Sequence, residues 1–147
     1  MKIDISQFTI ESYDDTFALW QQCEGVGLGD ADSRERIQIY LDRNPGMSFL
    51  ASSNGKVVGT ILAGHDSRRG YIHHLAVTPI CCRKGLARQL VNRCLGVLAE
   101  LGIQKCHIFI FNGNADGFAF WKAMGWTPRT DISVISKTIK SGPKRGC

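Results

Sequence analysis

Residues Val77 to Ala87 read V-T-P-I-C-C-R-K-G-L-A and lie between an apolar strand and an amphipathic helix. Upstream, residues 71–77, Y-I-H-H-L-A-V, have the β-branched and aromatic content of a strand. Downstream, Leu86, Leu90, Val91, Cys94, Leu98 and Leu101 recur at helical spacing. They predict a helix from about Lys84 to Glu100, ended by Gly102. Residues 105–111, K-C-H-I-F-I-F, follow as a nearly continuous apolar strand. A strand, a helix of about five turns and a buried strand make a right-handed crossover between parallel neighbours.

The turn at the centre of this unit is electrostatically odd. Arg83, Lys84 and Arg88 crowd the first turn of the helix, where aligned peptide dipoles already place positive charge. Each exposed cation there is unfavourable by about 0.3–1 kcal/mol. The arrangement makes sense if an anion docks on the turn, and the small Gly85 and Ala87 let a ligand reach the backbone amides. Neither G-x-x-x-x-G-K-[ST] nor G-x-G-x-x-G is present. The residues alone support a pyrophosphate-sized anion, against the plain alternative of a solvated basic helix start.

Working outward, residues 2–10 alternate roughly and predict a first strand. Ser12 with Asp15 marks a helix start, and Phe17, Leu19 and Trp20 make that helix partly apolar. The stretch 24–30, E-G-V-G-L-G-D, is glycine-rich. A second helix is expected from Ser33 to Asp42, stopped by Asn44-Pro45-Gly46. Asn54-Gly55 between two apolar runs is a strong hairpin mark, because both central residues need positive φ. Residues 64–70 form a second reversal. A last helix is expected near Asp116 to Met124, closed by Gly125, and a last strand near Ile132 to Ser136. The order β-α-α-β-β-β-α-β-α-β is a mixed α+β sheet and not a doubly wound Rossmann fold.

Length and composition set the bounds. At 147 residues with 44% apolar content, one domain spanning 1–147 is expected, with 141–147 as a mobile basic tail. No apolar run approaches the ~20 residues that span a bilayer. The start, M-K-I-D-I-S-Q, lacks a long apolar segment, so a cytoplasmic protein without membrane partners is expected. The six cysteines show neither C-x-x-C nor zinc spacing, so no metal is expected. Cys81–Cys82 is expected to be reduced and, beside Arg83, reactive. Residues 1–66 hold five Lys/Arg against ten Asp/Glu, and residues 67–147 hold thirteen against three. One half suits a cation and the other an anion. The basic half has no repeated basic–aromatic stripe, so nucleic acid is not an expected partner.

Leu75-Ala76-Val77-Thr78-Pro79, continuing through Arg83-Lys84-Gly85-Leu86-Ala87 to Leu90, resembles the central motif of the GNAT superfamily of acetyl-CoA-dependent N-acetyltransferases. The stretch from Asn114 to Trp126, N-A-D-G-F-A-F-W-K-A-M-G-W, resembles the second motif of that family. The resemblance runs from about Ile3 to Lys137 and implies central strands that splay at the cofactor site.

It also implies roles. The backbone from Arg83 through Lys84, Gly85, Leu86 and Ala87 to Arg88 would cradle the coenzyme A pyrophosphate. The edge formed by Leu75, Ala76 and Val77 would pair with the pantetheine arm. An amide at Leu75 or Ala76 would polarise the thioester carbonyl. Asn114, Phe118 and Trp121 would contact the cofactor or the loop around it. Direct attack by a primary amine requires that an ammonium first lose a proton. His73 and His74 can titrate near neutral pH, and strand alternation would put only one of them in the site. Related arylalkylamine acetyltransferases carry histidine at the position matching His73, which favours His73 as base against a structural role. His65, in a turn with Asp66, is a weaker candidate, and His107 on the next strand reads as structural. Many family members place tyrosine as general acid where this chain has Trp121, and an indole cannot serve as an acid at neutral pH. The acidic first half fits a cationic acceptor, with Glu24, Asp30 and Asp32 as candidate contacts against the alternative of a solvated acidic surface, and with Trp20 lining the pocket or packing in the core. The other reading is a non-catalytic acyl-CoA-binding module. Dimers are common in this superfamily.

Overall fold

The computed structural model describes residues 2–82 and 84–140. In chain order the elements are β1 (Asp4–Gln7), α1 (Tyr13–Gln22), α2 (Arg34–Arg43), β2 (Phe49–Ser53), β3 (Lys56–His65), β4 (Gly70–Val77), α3 (Leu86–Glu100), β5 (Cys106–Ile108) and α4 (Ala115–Ala123). Short 3-10 turns cover Ile10–Ser12, Asp30–Asp32 and Pro79–Cys81. The sheet runs β1-β2-β3-β4-β5. Its first four strands are antiparallel, and β4 pairs with β5 in parallel. The α3 crossover is therefore as the strand–turn–helix pattern predicts.

Local chemistry explains the joints. Asn54 and Gly55 take φ of 53° and 75°, the left-handed pair that a tight hairpin needs. Ser33 caps α2 by accepting from the Arg36 amide at 3.2 Å. Each sheet face has its own core. On one side Phe8, Leu19, Trp20, Ile37, Leu62 and Ala76 pack together under α1 and α2. On the other, Phe49, Ile61, Ile72, Leu90, Val91 and Leu98 pack under α3, with Phe120 and Trp121 at their margin. Each fully buried side chain of this size contributes about 1.5–3 kcal/mol.

Five sequence expectations change. α3 starts at Leu86 and not Lys84, because Gly85 at φ 76° cannot continue a right-handed helix. Leu101 is 53% exposed, since it caps the helix and leaves the apolar stripe. The first strand keeps only Asp4–Gln7 of residues 2–10, and β5 only Cys106–Ile108 of 105–111. No strand forms at 132–136: the alternation suits one, but none of the described residues pairs with it, and Ile135 is 94% exposed.

Candidate active site

Parallel pairing between β4 and β5 ends at Ile72 with Ile108. Beyond it the strands diverge, and a cleft of about 750 Å³ opens between them. Its wall from β4 is His73 to Val77, the opposite wall is Ile108 at the end of β5 with the following residues to Phe111, and Gly25, Val26 and Gly27 border it from the α1–α2 connection. Ala87, Asn114, Gly117 and Trp121 complete the side toward α3 and α4.

The register shows what β4 offers this cleft. The Thr78 amide donates to the Val58 carbonyl at 2.9 Å. Gly59 with Val77 is therefore a non-hydrogen-bonded pair, and the Val77 N–H and C=O point away from β3. Ala76, opposite Thr60, falls in the hydrogen-bonded position. Its amide is used by the sheet, which removes it as a carbonyl-polarising donor and leaves Leu75 and Val77. At the far end of the cleft stands the start of α3. Gln89 donates to the Gly85 carbonyl as the first helical bond, and the amides before it have no partner within the helix. Among the described residues a Cβ at Gly85 would meet nothing within 4 Å. Lys84 and Arg88 are exposed beside it, while Leu86 turns its side chain into the core. Arg83 lies outside the described residues, as does the basic tail at 141–147.

Between Thr60 and Leu62 the register against β4 shifts by one, so His74 and Leu75 together oppose Ile61. His74 takes φ 51°, an unusual conformation for a residue other than glycine. This bulge overrides strand alternation and brings both histidines to the α1–α2 side. His73 packs against Tyr40 of α2 (centroids 6.2 Å apart) and Phe109 (5.9 Å). His74 packs edge-on against Trp20 of α1 at 4.8 Å. The expectation that only one of them faces the site is corrected. Burial lowers the affinity of His73 for a proton, and neighbouring His74 adds to this while Asp32 opposes it, so His73 titrates below an ordinary histidine.

His74 Nε2 lies 2.6 Å from Asp32 Oδ1. Burial pushes the Asp32 carboxyl up, but the bonds from His74 and the Gly29 amide outweigh it and hold the group below the usual carboxylate range. The carboxylate is thus ionised and the ring nitrogen donates. The Gly29 amide reaches Asp32 Oδ2 at 2.9 Å, and the Tyr13 hydroxyl donates to the Asp32 carbonyl.

Other expected residues sort differently. Trp20 is fully buried, so it does not line an acceptor pocket; its indole N–H donates to Thr60 Oγ1 at 3.0 Å. Glu24 and Asp30 are exposed outside the cleft wall. Asn114 Oδ1 caps α4 by accepting from Gly117 at 2.9 Å, and a Cβ on Gly25 would stand 3.1 Å from its Nδ2. Phe118 lines a second cavity, of about 760 Å³, between β5 and residues 126–134, and His107 lies there too. Trp121 borders both cavities and stacks edge-on with Trp126 at 4.7 Å. His65 accepts from the Ser67 amide in the β3–β4 turn, away from the cleft. Cys81 is buried, whereas Cys82 is exposed with Sγ 3.9 Å from the Val77 carbonyl oxygen. Among the described residues no cluster has the makings of a metal site, and no helix is long and apolar enough to cross a membrane.

Residues 13–126 match the acetyltransferase (GNAT) family. Among solved structures, Ard1 from Thermoplasma volcanium is similar in fold, with TM-score 0.76 at 17% identity over 86% of this chain and 84% of that one. AAC(6')-Iy, in complex with the bisubstrate analogue CoA-S-monomethyl-acetylneamine, aligns with TM-score 0.73 at 18% identity over 94% and 99%. PaiA N-acetyltransferase from Thermoplasma acidophilum, in complex with coenzyme A, aligns with TM-score 0.73 at 16% identity over 84% and 89%.

Proposed function

The chain belongs to the acetyltransferase (GNAT) family, and from that premise we propose that it transfers an acetyl group from acetyl-CoA to a primary amine by direct attack. One observation carries the reading. A strand edge whose Val77 N–H and C=O face away from β3 and the first turn of α3 at Ala87 border the same cleft. A pantetheine arm needs the first, and a pyrophosphate needs the second.

The residues fit the donor end to end. Gly85 to Arg88 would hold the pyrophosphate on backbone amides, with Lys84 and Arg88 adding charge. Val77 would pair with the pantetheine amide, and the amide of Leu75 or Val77 would polarise the thioester carbonyl. When bound, acetyl-CoA supplies an activated acyl carbon with a thiolate leaving group. The protein must position that carbon and remove a proton from the incoming ammonium, and the two β4 histidines face the side from which an acceptor would come.

The acceptor enters past Gly25, Val26 and Gly27. A cationic amine is favoured, because the ionised Asp32 stands behind this entrance with Glu24 and Asp30 on the exposed surface nearby. We assign the activity to a single domain and the protein to the cytoplasm, in keeping with the free thiols at Cys23, Cys81, Cys82, Cys94 and Cys106.

The test is turnover of acetyl-CoA against a panel holding a polyamine, amino acids, an aminoglycoside and lysine peptides, read as free thiol. Thiol release that depends on at least one primary amine is expected. Acetyl-CoA binding without amine-dependent release from any member would overturn the reading.

A further inference from the structure

We infer that Asp32 and His74 form a proton-relay pair, in which Asp32 is a positioning residue and His74 carries the proton both from the amine and to the departing thiolate. The inference rests on the acetyl-transfer reading above and goes beyond it by choosing between the histidines and supplying the missing acid.

Four independent features converge on the His74 ring. The carboxylate of Asp32 holds Nε2 at 2.6 Å, with both side chains mostly buried at 16% and 12% exposure. Trp20 fixes the ring plane from the core side. The backbone is locked as well, since Thr60 Oγ1 takes the Trp20 indole N–H and donates to the His74 carbonyl at 3.4 Å. The left-handed φ of 51° is a conformation that the surrounding contacts must sustain. Asp32 itself is pinned on both sides, by the Gly29 amide on Oδ2 and by Tyr13 on its carbonyl.

With Nε2–H committed to a carboxylate, the neutral ring carries its lone pair on Nδ1. That atom makes no hydrogen bond among the described residues, and His74 borders the cleft. The proton balance then closes on one residue. Nδ1 takes a proton from the ammonium, and Asp32 stabilises the imidazolium. The amine lone pair forms the C–N bond to the acyl carbon, and the C–S bond breaks. The thiolate leaves as a thiol with the proton returned from Nδ1, and the second N–H proton passes to solvent. This relay answers the departure at Trp121, where an indole replaces an acid. His73, packed between Tyr40 and Phe109, is left as a neutral neighbour. The titratable groups around His74 are Asp32 on the α1–α2 connection, Tyr13 on α1, Cys23 at the end of α1, and His73 on β4 itself.

The test compares wild type with Asp32→Asn, Asp32→Glu, His74→Gln and His73→Gln. In the substrate-free protein, ¹⁵N imidazole spectra should show the His74 proton on Nε2. In Asp32→Asn the Nδ1-protonated tautomer should appear. In turnover, Asp32→Asn should lower kcat at least about tenfold with KM for acetyl-CoA unchanged, and move the acid limb of the rate profile to lower pH. Asp32→Glu should recover part of the rate. His74→Gln should cost about a hundredfold or more and remove the acid limb, which His73→Gln should retain. The inference is overturned if Asp32→Asn leaves the His74 tautomer as in wild type, or if His73→Gln and not His74→Gln removes the limb. If wild type acetylates no amine, the proposed function fails, while the spectra of the free protein still decide the pairing.

Discussion

Trp20 seats the edge of its indole against the His74 ring, with centroids 4.8 Å apart, and does so from a position with no solvent exposure. The largest side chain of the α1 core is thus the floor beneath a residue of the cleft. Core packing and site geometry meet at this contact, and substitutions there have both structural and kinetic consequences.

Trp20→Phe keeps most of the apolar surface but removes the donor to Thr60 Oγ1. We expect a loss of about 1–3 kcal/mol, the usual cost of leaving a buried polar group without its partner. Urea unfolding measures that loss. Turnover should fall by more than the unfolded fraction explains, because the ring also loses its support.

Gly85 separates backbone shape from ligand access. Gly85→Ala should cost about 1–2 kcal/mol, since a residue with Cβ is strained at φ 76°. It should still gain thermal stability from acetyl-CoA, because the added methyl meets nothing within 4 Å among the described residues. Gly85→Glu should fold with a similar loss but gain no stability from acetyl-CoA, as its carboxylate would repel the pyrophosphate. Equal stabilisation of both variants would place the anion elsewhere.

Asn114→Ala removes the side-chain cap of α4. A loss of about 1 kcal/mol is expected, seen as a Tm lower by roughly 2–4 °C. Asn114→Asp should retain most of the stability, because the carboxylate can accept the same Gly117 amide. An unchanged Tm in Asn114→Ala would show that the cap contributes nothing.

Stability should depend on pH through His73. Its folded affinity for protons is lowered by burial, so the unfolded chain binds the proton more readily. Stability then rises with pH from the depressed folded value up to about 6.5, the unfolded value. Below that window the loss is complete. His73→Gln should flatten this part of the denaturation profile, measured at several pH values between 5 and 7.5. Asp32, with its carboxyl held low, contributes a separate loss at more acidic pH.

Much of the fold was legible because its joints are chemically marked. Asn54-Gly55, Gly102 and the Pro79–Ala87 turn each demand a backbone that few residues adopt, and the apolar spacing of α3 leaves one helix face to bury. The site was legible only in part. The run Y-I-H-H-L-A-V reads as an uninterrupted strand, and a bulge that falls on a histidine leaves no glycine to announce it. The extra residue exists only relative to β3, so it is a property of pairing and not of the strand itself. Asp32 sits beside a glycine-rich stretch and reads as an acceptor contact or a solvated acid, with nothing to tie it to a histidine. It meets His74 across 42 positions only after α1 packs on the sheet. Residues 132–136 show the reverse, a good strand pattern that finds no partner among the described residues.

The most direct measurement is mass spectrometry of a primary amine after incubation with ¹³C-acetyl-CoA and either wild type or Gly85→Glu. The account predicts one labelled acetyl group on the amine nitrogen with wild type, and none with Gly85→Glu under the same conditions. Equal labelling by both proteins, or no labelled amine with wild type across the whole panel, would contradict it.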